Sequence, residues 1–370
     1  MWTVLIPALA LLALGLTWGR ELPVALVIVV ALLLAGAVLA AVHHAEVIAH
    51  RVGEPFGSLV LAVAVTVIEV ALIVSLMVSG GERTATLARD TVFAAVMITC
   101  NGIVGLSLLT VTLKRRIAVF NAEGTGKALA TVATLTTLSL VLPTFTTSAR
   151  GPAFSPAQLG FAAVVSLALY GLFVVTQTVR HRDYFLPVAR TGGRSGPENG
   201  SSTQDGAPFE PDEHAPRPSG RTALTSLGLL LVALVSVVGL AKVESPVIEL
   251  AVSSAGLPQA VVGVVIALLV LLPETIAAIR AARRDQVQIS LNLALGSAMA
   301  SIGLTIPAIA VASIWLDGPL LLGLGGTHLV LFALTAVVST LTVVPGRATL
   351  MHSGVHLVLF AAFLFLAISP

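Results

Sequence analysis

Apolar runs of about 20 residues recur from one end of this chain to the other, and each is long enough to cross a lipid bilayer as a helix. Only 10% of the 370 residues are charged and 56% are hydrophobic, whereas a soluble domain carries about 25% charged residues. The sequence therefore predicts an all-α integral membrane protein with about eleven transmembrane helices. The predicted spans are 2–18, 22–42, 57–79, 91–112, 127–148, 159–179, 222–241, 257–279, 287–315, 319–343 and 349–369.

The first 20 residues have two interpretations. An apolar run precedes Gly19 and Arg20, as in a signal peptide, yet no basic residue comes before that run and a second apolar run follows at once. We expect residues 1–20 to form a retained N-terminal extra transmembrane helix.

The distribution of Lys and Arg predicts the orientation. Connections after even-numbered spans hold three times as many of these residues as connections after odd-numbered spans. Because basic residues are enriched on the cytoplasmic side, we expect a cytoplasmic N-terminus and an external C-terminus. The bacterial cell (inner) membrane is the simplest location for such a multi-pass protein.

One long polar stretch, residues 180–221, divides the chain. It is rich in Gly, Pro and Ser, and its acidic residues balance its arginines. Such a composition cannot bury a core, so a disordered cytoplasmic linker is predicted between residues 21–179 and residues 222–370.

The two parts share a sequence pattern. Glu-x6-Gly-x-Pro occurs at residues 46–55 and again at 249–258, each time shortly before an apolar helix that carries one glutamate, Glu69 or Glu274. This recurrence favours duplication over chance. A unit of five helices used twice gives copies of opposite orientation because five is odd, and such inverted repeats are common in secondary transporters.

Glu69 and Glu274 are the two acidic residues that the sequence places well inside apolar helices. An ionisable group at that depth costs about 2.5–3.5 kcal/mol on insertion and usually marks an ion path. The alternative is a protonated glutamate that serves helix packing. We expect the pair to be the metal-ion ligands of a site for a transported cation.

Neutral oxygen atoms would complete such a site, since hard cations prefer oxygen ligands. A proline within a helix leaves one backbone carbonyl without its hydrogen bond, and polar side chains supply the others, although small polar residues also serve as contacts between membrane helices. The candidates are Asn101, Thr66, Ser297, Ser301, Asn292 and Pro273.

A cluster of His43, His44, Glu46 and His50 lies at the predicted cytoplasmic end of the second span. Glu46 and His50 have a spacing that suits transition-metal binding or pH sensing, but interfacial residues of this kind are also simply solvated. The single cysteine, Cys100, excludes an intramolecular disulfide and a cysteine-based metal cluster.

Three stretches carry a resemblance to a known family. They are residues 53–77 (GEPFGSLVLAVAVTVIEVALIVSLM), 89–109 (RDTVFAAVMITCNGIVGLSLL) and 273–307 (PETIAAIRAARRDQVQISLNLALGSAMASIGLTIP). The sequence resembles the cation/proton exchangers of the Ca²⁺/cation antiporter superfamily, and most closely the bacterial ChaA-type calcium/sodium/potassium:proton antiporters. The resemblance implies that Glu69 and Glu274 bind the exchanged cation and the proton.

The sequence departs from that family at one place in each half. Vacuolar-type members carry Gly-Asn-x-x-Glu in both repeats, and this chain has Val65-Thr66 and Val270-Leu271 there. The missing asparagine oxygens argue against high-affinity Ca²⁺ binding and keep Na⁺ and K⁺ as candidates.

The sequence thus favours a secondary active cation/proton antiporter that exchanges Ca²⁺, or Na⁺ or K⁺, for H⁺ by alternating access. A cation channel is the first alternative. An intramembrane metal-dependent enzyme is less favoured because neither an Asp-rich cluster nor His-Glu-x-x-His occurs. The expected partners are inorganic cations, protons and the bilayer. No cofactor and no nucleic acid are expected, the net charge being only +2, and the oligomeric state stays open.

Overall fold

The described chain is almost entirely helical. A computed structural model describes residues 2–20, 22–53, 56–80, 84–180, 182–185, 218–315 and 319–370. In chain order the α-helices are α1 (Trp2–Thr17), α2 (Val24–Val52), α3 (Phe56–Gly80), α4 (Leu87–Met97), α5 (Val104–Arg115), α6 (Ala122–Thr136), α7 (Leu142–Phe145), α8 (Pro156–Val175), α9 (Gly220–Ser254), α10 (Ala260–Val270), α11 (Leu272–Arg283), α12 (Val287–Ala312), α13 (Gly326–Val343) and α14 (Leu350–Ile368).

Short segments of other geometry connect or extend these helices. A π-helical segment, Ile98–Ile103, joins α4 to α5, and a second, Thr137–Val141, joins α6 to α7. A third, Thr176–Arg180, continues α8, and a 3-10 turn, Arg182–Phe185, is the next described element. The strands β1 (Ile117–Val119) and β2 (Arg347–Thr349) complete the described elements.

The predicted fold class, an all-α membrane protein, is confirmed. Nine helices in the described residues are long and apolar enough to cross a membrane, and the bent pair α10–α11 makes a tenth. The remaining predicted span, α1, is an apolar helix of only 16 residues. The count of eleven is therefore not confirmed.

Two helices extend well beyond their predicted ends. The second span, predicted to end at residue 42, continues as α2 to Val52, and the span predicted over 222–241 continues as α9 to Ser254. α9 runs through Pro246 and places Glu244 inside the protein, where 2% of its surface is exposed. Interior proline is tolerated in membrane helices because neighbours satisfy the freed backbone groups. Glu244 is thus a buried glutamate that lies beyond the predicted end of its span.

Part of the sequence-based interpretation falls outside the described residues. Residues 186–217, which make up most of the predicted linker, belong there, as do Glu54 and Pro55 of the repeated pattern.

Two hydrophobic cores hold the helices together. One is built from α1, α2, α3, α9 and α10, with α2 packed along α9. The other surrounds α12, which packs against α6, α8 and α11. α3 and α10 contribute buried residues to both cores, so any cavity next to these two helices lies where the cores meet.

Residues distant in sequence are joined at the ends of α5 and α13. β1 pairs with β2 in antiparallel register, Ala118 opposite Ala348. Close by, Arg115 forms an ion pair of 2.6 Å with Asp285, and Lys114 donates to the carbonyl oxygen of Arg283 at 3.1 Å. These contacts join the part of the chain before the linker to the part after it.

Candidate cation site

The break between α10 and α11 positions Glu274. The two helices meet at Leu271 with a bend of 52°, and Pro273 lies in the first turn of α11. Proline suits that position because the amide it lacks would have no helical partner there. Glu274 follows in the same turn, where the helix dipole stabilises negative charge.

Glu69 lies on α3, which is one unbroken helix from Phe56 to Gly80. Its side chain is 4% exposed. The hydroxyl oxygen of Ser301, on α12, lies 2.7 Å from one carboxyl oxygen of Glu69 and 2.9 Å from the other. A hydroxyl that donates to a carboxylate makes one of the stronger hydrogen bonds in proteins, so Ser301 fixes the position of the Glu69 carboxyl group.

Both glutamates line one cavity of about 180 Å³. Its walls come from α3, α8, the α10–α11 break and α12. Glu274 directs one carboxyl oxygen, Oε2, into surroundings where it has no hydrogen-bond partner among the described residues. The cavity thus combines one carboxylate held by a hydroxyl with another that retains an unused acceptor.

Four of the predicted neutral ligands also line this cavity: Thr66, Asn292, Ser297 and Ser301. Asn292 is nevertheless committed to protein contacts. Its Oδ1 accepts from Gln288 at 2.9 Å, and its Nδ2 donates to the carbonyl oxygen of Phe185 at 2.7 Å.

Asn101 and Pro273 are not among the residues that line the cavity. Asn101 is fully buried in the π-helical segment after α4 and faces α13 and α14 instead. Its amide nitrogen donates to Thr335 at 2.9 Å, and its oxygen lies 3.1 Å from Nδ1 of His356. Asn101 therefore does not join the two glutamates. Pro273 lies at the bend itself, two residues from the lining residue Leu271.

The histidine cluster holds α1 against α2. Nε2 of His44 lies 2.9 Å from the carbonyl oxygen of Thr3, and the ring of His43 packs on Trp2 at a centroid distance of 6.3 Å. Among the described residues, no group of three or more His, Cys, Asp or Glu side chains is arranged to hold a metal ion. These contacts favour a packing role over the metal-binding alternative.

One wall of the cavity was missed by sequence reasoning. α8 and its π-helical extension contribute Tyr170, Phe173, Gln177 and Thr178. Gln177 and Thr178 lie at the end of an apolar run, and in the sequence such polar residues indicate the end of a membrane span. Only the packing of α8 on α12 shows that these residues border the site.

The sequence profile of the family described as "Sodium/calcium exchanger protein" matches residues 22–179 and 225–369. The chain belongs to this family. Within it, the chain is 44% identical over 373 residues to the "Putative ionic transporter y4hA" of Sinorhizobium fredii (strain NBRC 101917 / NGR234), covering 100% of this chain and 96% of the relative. It is also 33% identical over 366 residues to the "Sodium-potassium/proton antiporter ChaA" of Escherichia coli (strain K12), covering 98% and 94%. The resemblance to the cation antiporters is confirmed.

Two solved structures have the same fold as this chain. The structure of native YfkE matches with a TM-score of 0.69 at 15% identity and covers 100% of both chains. The crystal structure of the H⁺/Ca²⁺ exchanger CAX matches with a TM-score of 0.69 at 17% identity and covers 98% of this chain and 86% of the other. Both support a multi-pass membrane protein with the architecture of the exchangers.

Proposed function

We propose that this chain is a secondary active antiporter that exchanges a cation for H⁺ across the bacterial cell (inner) membrane and has no enzymatic activity. One observation carries the proposal: Glu69 and Glu274, from the two parts of the chain on either side of the linker, line the same cavity. Membership of the exchanger family and the 33% identity to a sodium-potassium/proton antiporter support it.

The coupling follows from charge. Two carboxylates in a space of low dielectric are costly to leave ionised and unpaired. Either a cation between them or protons on them removes that cost, so the two ligands compete for the same oxygen atoms. A site that changes the side it faces only when neutralised exchanges one ligand for the other.

The ligand set guides the choice of cation. Of the side chains that line the cavity, the two carboxylates supply the negative charge, and Thr66, Ser297 and Ser301 offer hydroxyl oxygens. Vacuolar-type members carry asparagine at the positions that Thr66 and Leu271 occupy in this chain. The lining side chains and the lack of these asparagines support Na⁺ or K⁺ over tightly bound Ca²⁺.

The proposed orientation places the N-terminus and the linker in the cytoplasm, with the C-terminus outside. Residues 22–179 and 225–369, which the family profile matches separately, support two repeated units.

Exchange in proteoliposomes tests the proposal. The purified chain is reconstituted with a pH-sensitive dye in the lumen, and an outward gradient of Na⁺, K⁺ or Ca²⁺ is imposed. We expect Na⁺ or K⁺ to drive proton movement in the opposite direction, whereas a choline gradient and protein-free liposomes give no signal. Cation flux that dissipates a gradient without any proton movement would identify a channel and refute the antiporter.

Ser301→Ala should weaken cation binding without abolishing exchange. The substitution removes the hydroxyl that donates to Glu69, and a hydrogen bond to a charged group is worth about 1.5–3 kcal/mol. We therefore expect the KM for the driving cation to rise by roughly tenfold, measured by the dye assay over a concentration series.

The matched control is Ser313→Ala, because Ser313 donates to the carbonyl oxygen of Ala310 at the far end of the same helix. This variant should leave the KM unchanged. An unchanged KM in Ser301→Ala would show that the contact with Glu69 is not part of cation binding.

A further inference from the structure

A short turn at the start of the linker contacts the wall of the cavity. The turn Arg182–Phe185, here called the aromatic turn, is the next described element after α8 and its π-helical extension. Phe185 is 6% exposed and belongs to the same hydrophobic core as α12. The start of the linker is therefore packed into the protein.

Two contacts connect Phe185 to residues that line the cavity. Its ring meets the ring of Phe173 edge-on, with a centroid distance of 5.8 Å and an interplanar angle of 90°, a favourable geometry for aromatic pairs. Its carbonyl oxygen accepts the 2.7 Å hydrogen bond from Asn292. Phe173 lies on α8 and Asn292 on α12, so Phe185 spans two walls of the cavity.

Neighbouring residues fix the turn in place. Gln288 holds Asn292 and in turn accepts from the backbone amide of Asn121 at 2.6 Å. The ammonium group of Lys127 lies 4.0 Å from the centroid of the Tyr184 ring, a distance typical of a cation–π contact. The turn is thus clamped between α6, α8 and α12.

We propose that the aromatic turn is a latch that sets the separation of α8 and α12 at the side of the cavity next to the linker. Phe185 is its positioning residue, since it touches the cavity wall rather than the ion. Ion access from that side then depends on whether the turn is seated. The transport consequence rests on the proposed antiport function, whereas the change in access does not.

Two glycines on α6 provide a matched pair of variants. A Cβ atom added at Gly124 would meet the backbone carbonyl of Tyr184, its carbon at 2.9 Å. Backbone cannot yield as a side chain can, so Gly124→Ala must displace the turn. A Cβ at Gly126 would meet only Val343 at 3.8 Å, an ordinary contact. Both substitutions replace a glycine of α6 by alanine, and only the one at Gly124 clashes with the backbone of the aromatic turn.

Access is measured with a cysteine at the cavity wall. Ser297→Cys is introduced in a Cys100→Ala background, and its rate of modification by a membrane-impermeant thiol reagent is followed from the linker side. We expect Gly124→Ala to change this rate by about fivefold or more, the lower end of typical coupling between sites. Gly126→Ala should leave it unchanged. Equal rates in the two folded glycine variants would overturn the latch.

Phe185→Ala provides a second variant if Gly124→Ala does not yield folded protein, and Phe161→Ala, at an exposed position of α8, is its control. In chains that retain Ser297, we expect displacement of the turn to change the KM for the cation more than the maximal rate. If the modification rates respond but the unsubstituted chain does not exchange a cation for H⁺, the latch stands and the antiport function fails. If exchange is normal and the Ser297→Cys thiol is modified at the same rate with Phe185→Ala as with Phe161→Ala, the latch fails and the antiport function stands.

Discussion

Glu69→Gln is expected to abolish cation-driven proton movement while the protein still folds and inserts. Glutamine is nearly isosteric and its amide oxygen can still accept from Ser301, so the packing around α3 is preserved. The amide cannot carry the negative charge that neutralises a cation, and it cannot take up and release a proton at neutral pH. The dye assay in proteoliposomes should therefore show no signal for any of the three cations.

The control for this variant is Glu123→Gln. Glu123 lies on α6, its side chain is 60% exposed, and its contact is a surface ion pair with Lys127. Surface pairs of this type contribute at most about 1 kcal/mol, so exchange should be normal. Coupled exchange by folded Glu69→Gln at the rate of the unsubstituted chain would refute the role of Glu69.

Glu274→Gln should also eliminate exchange, with a measurable loss of cation binding. Glu274 offers a buried carboxyl oxygen without a partner among the described residues, which makes it the more available ligand of the two. Losing a charged contact worth about 3 kcal/mol corresponds to a decrease in affinity of roughly a hundredfold. Isothermal titration of the cation into purified protein reports this loss separately from transport.

Glu274→Asp separates charge from position. It keeps the negative charge and shortens the side chain by one methylene, so we expect it to bind the cation more tightly than Glu274→Gln does and less tightly than the unsubstituted chain. If Glu274→Gln bound cations as tightly as the unsubstituted protein, the site would have to lie elsewhere, and the competition mechanism would fail with it.

Helix positions were largely predictable from the sequence, and helix ends were not. Apolar runs locate the membrane-embedded part of each helix because burial in lipid requires apolar surface. They do not locate the end of a helix that continues into polar residues. α2 extends through His43 to Val52, and α9 through Lys242 and Glu244 to Ser254, and both helices still contribute core residues past the apolar runs, Ala45 and Val252. A sequence gives no direct sign of such packing.

The residues of the candidate site were also predictable only in part. The two glutamates were predictable because an acidic side chain within an apolar helix needs a reason to be there. Ser297 and Ser301 could be named as candidates because their hydroxyl oxygens are ligands that hard cations accept. Asn101 was misplaced because the sequence does not specify which neighbour a helix face will meet. Gln177 and Thr178 were missed because polar residues at a helix end usually contact water.

The short antiparallel pairing of β1 with β2 limits which helices can move. Sliding α5 and α6 against α13 and α14 would pull Ala118 out of register with Ala348 and leave backbone amides without partners. In the described residues, no such strand pairing crosses the core of α1, α2, α3, α9 and α10. A shift within that core would therefore leave the backbone pairing of Ala118 with Ala348 intact.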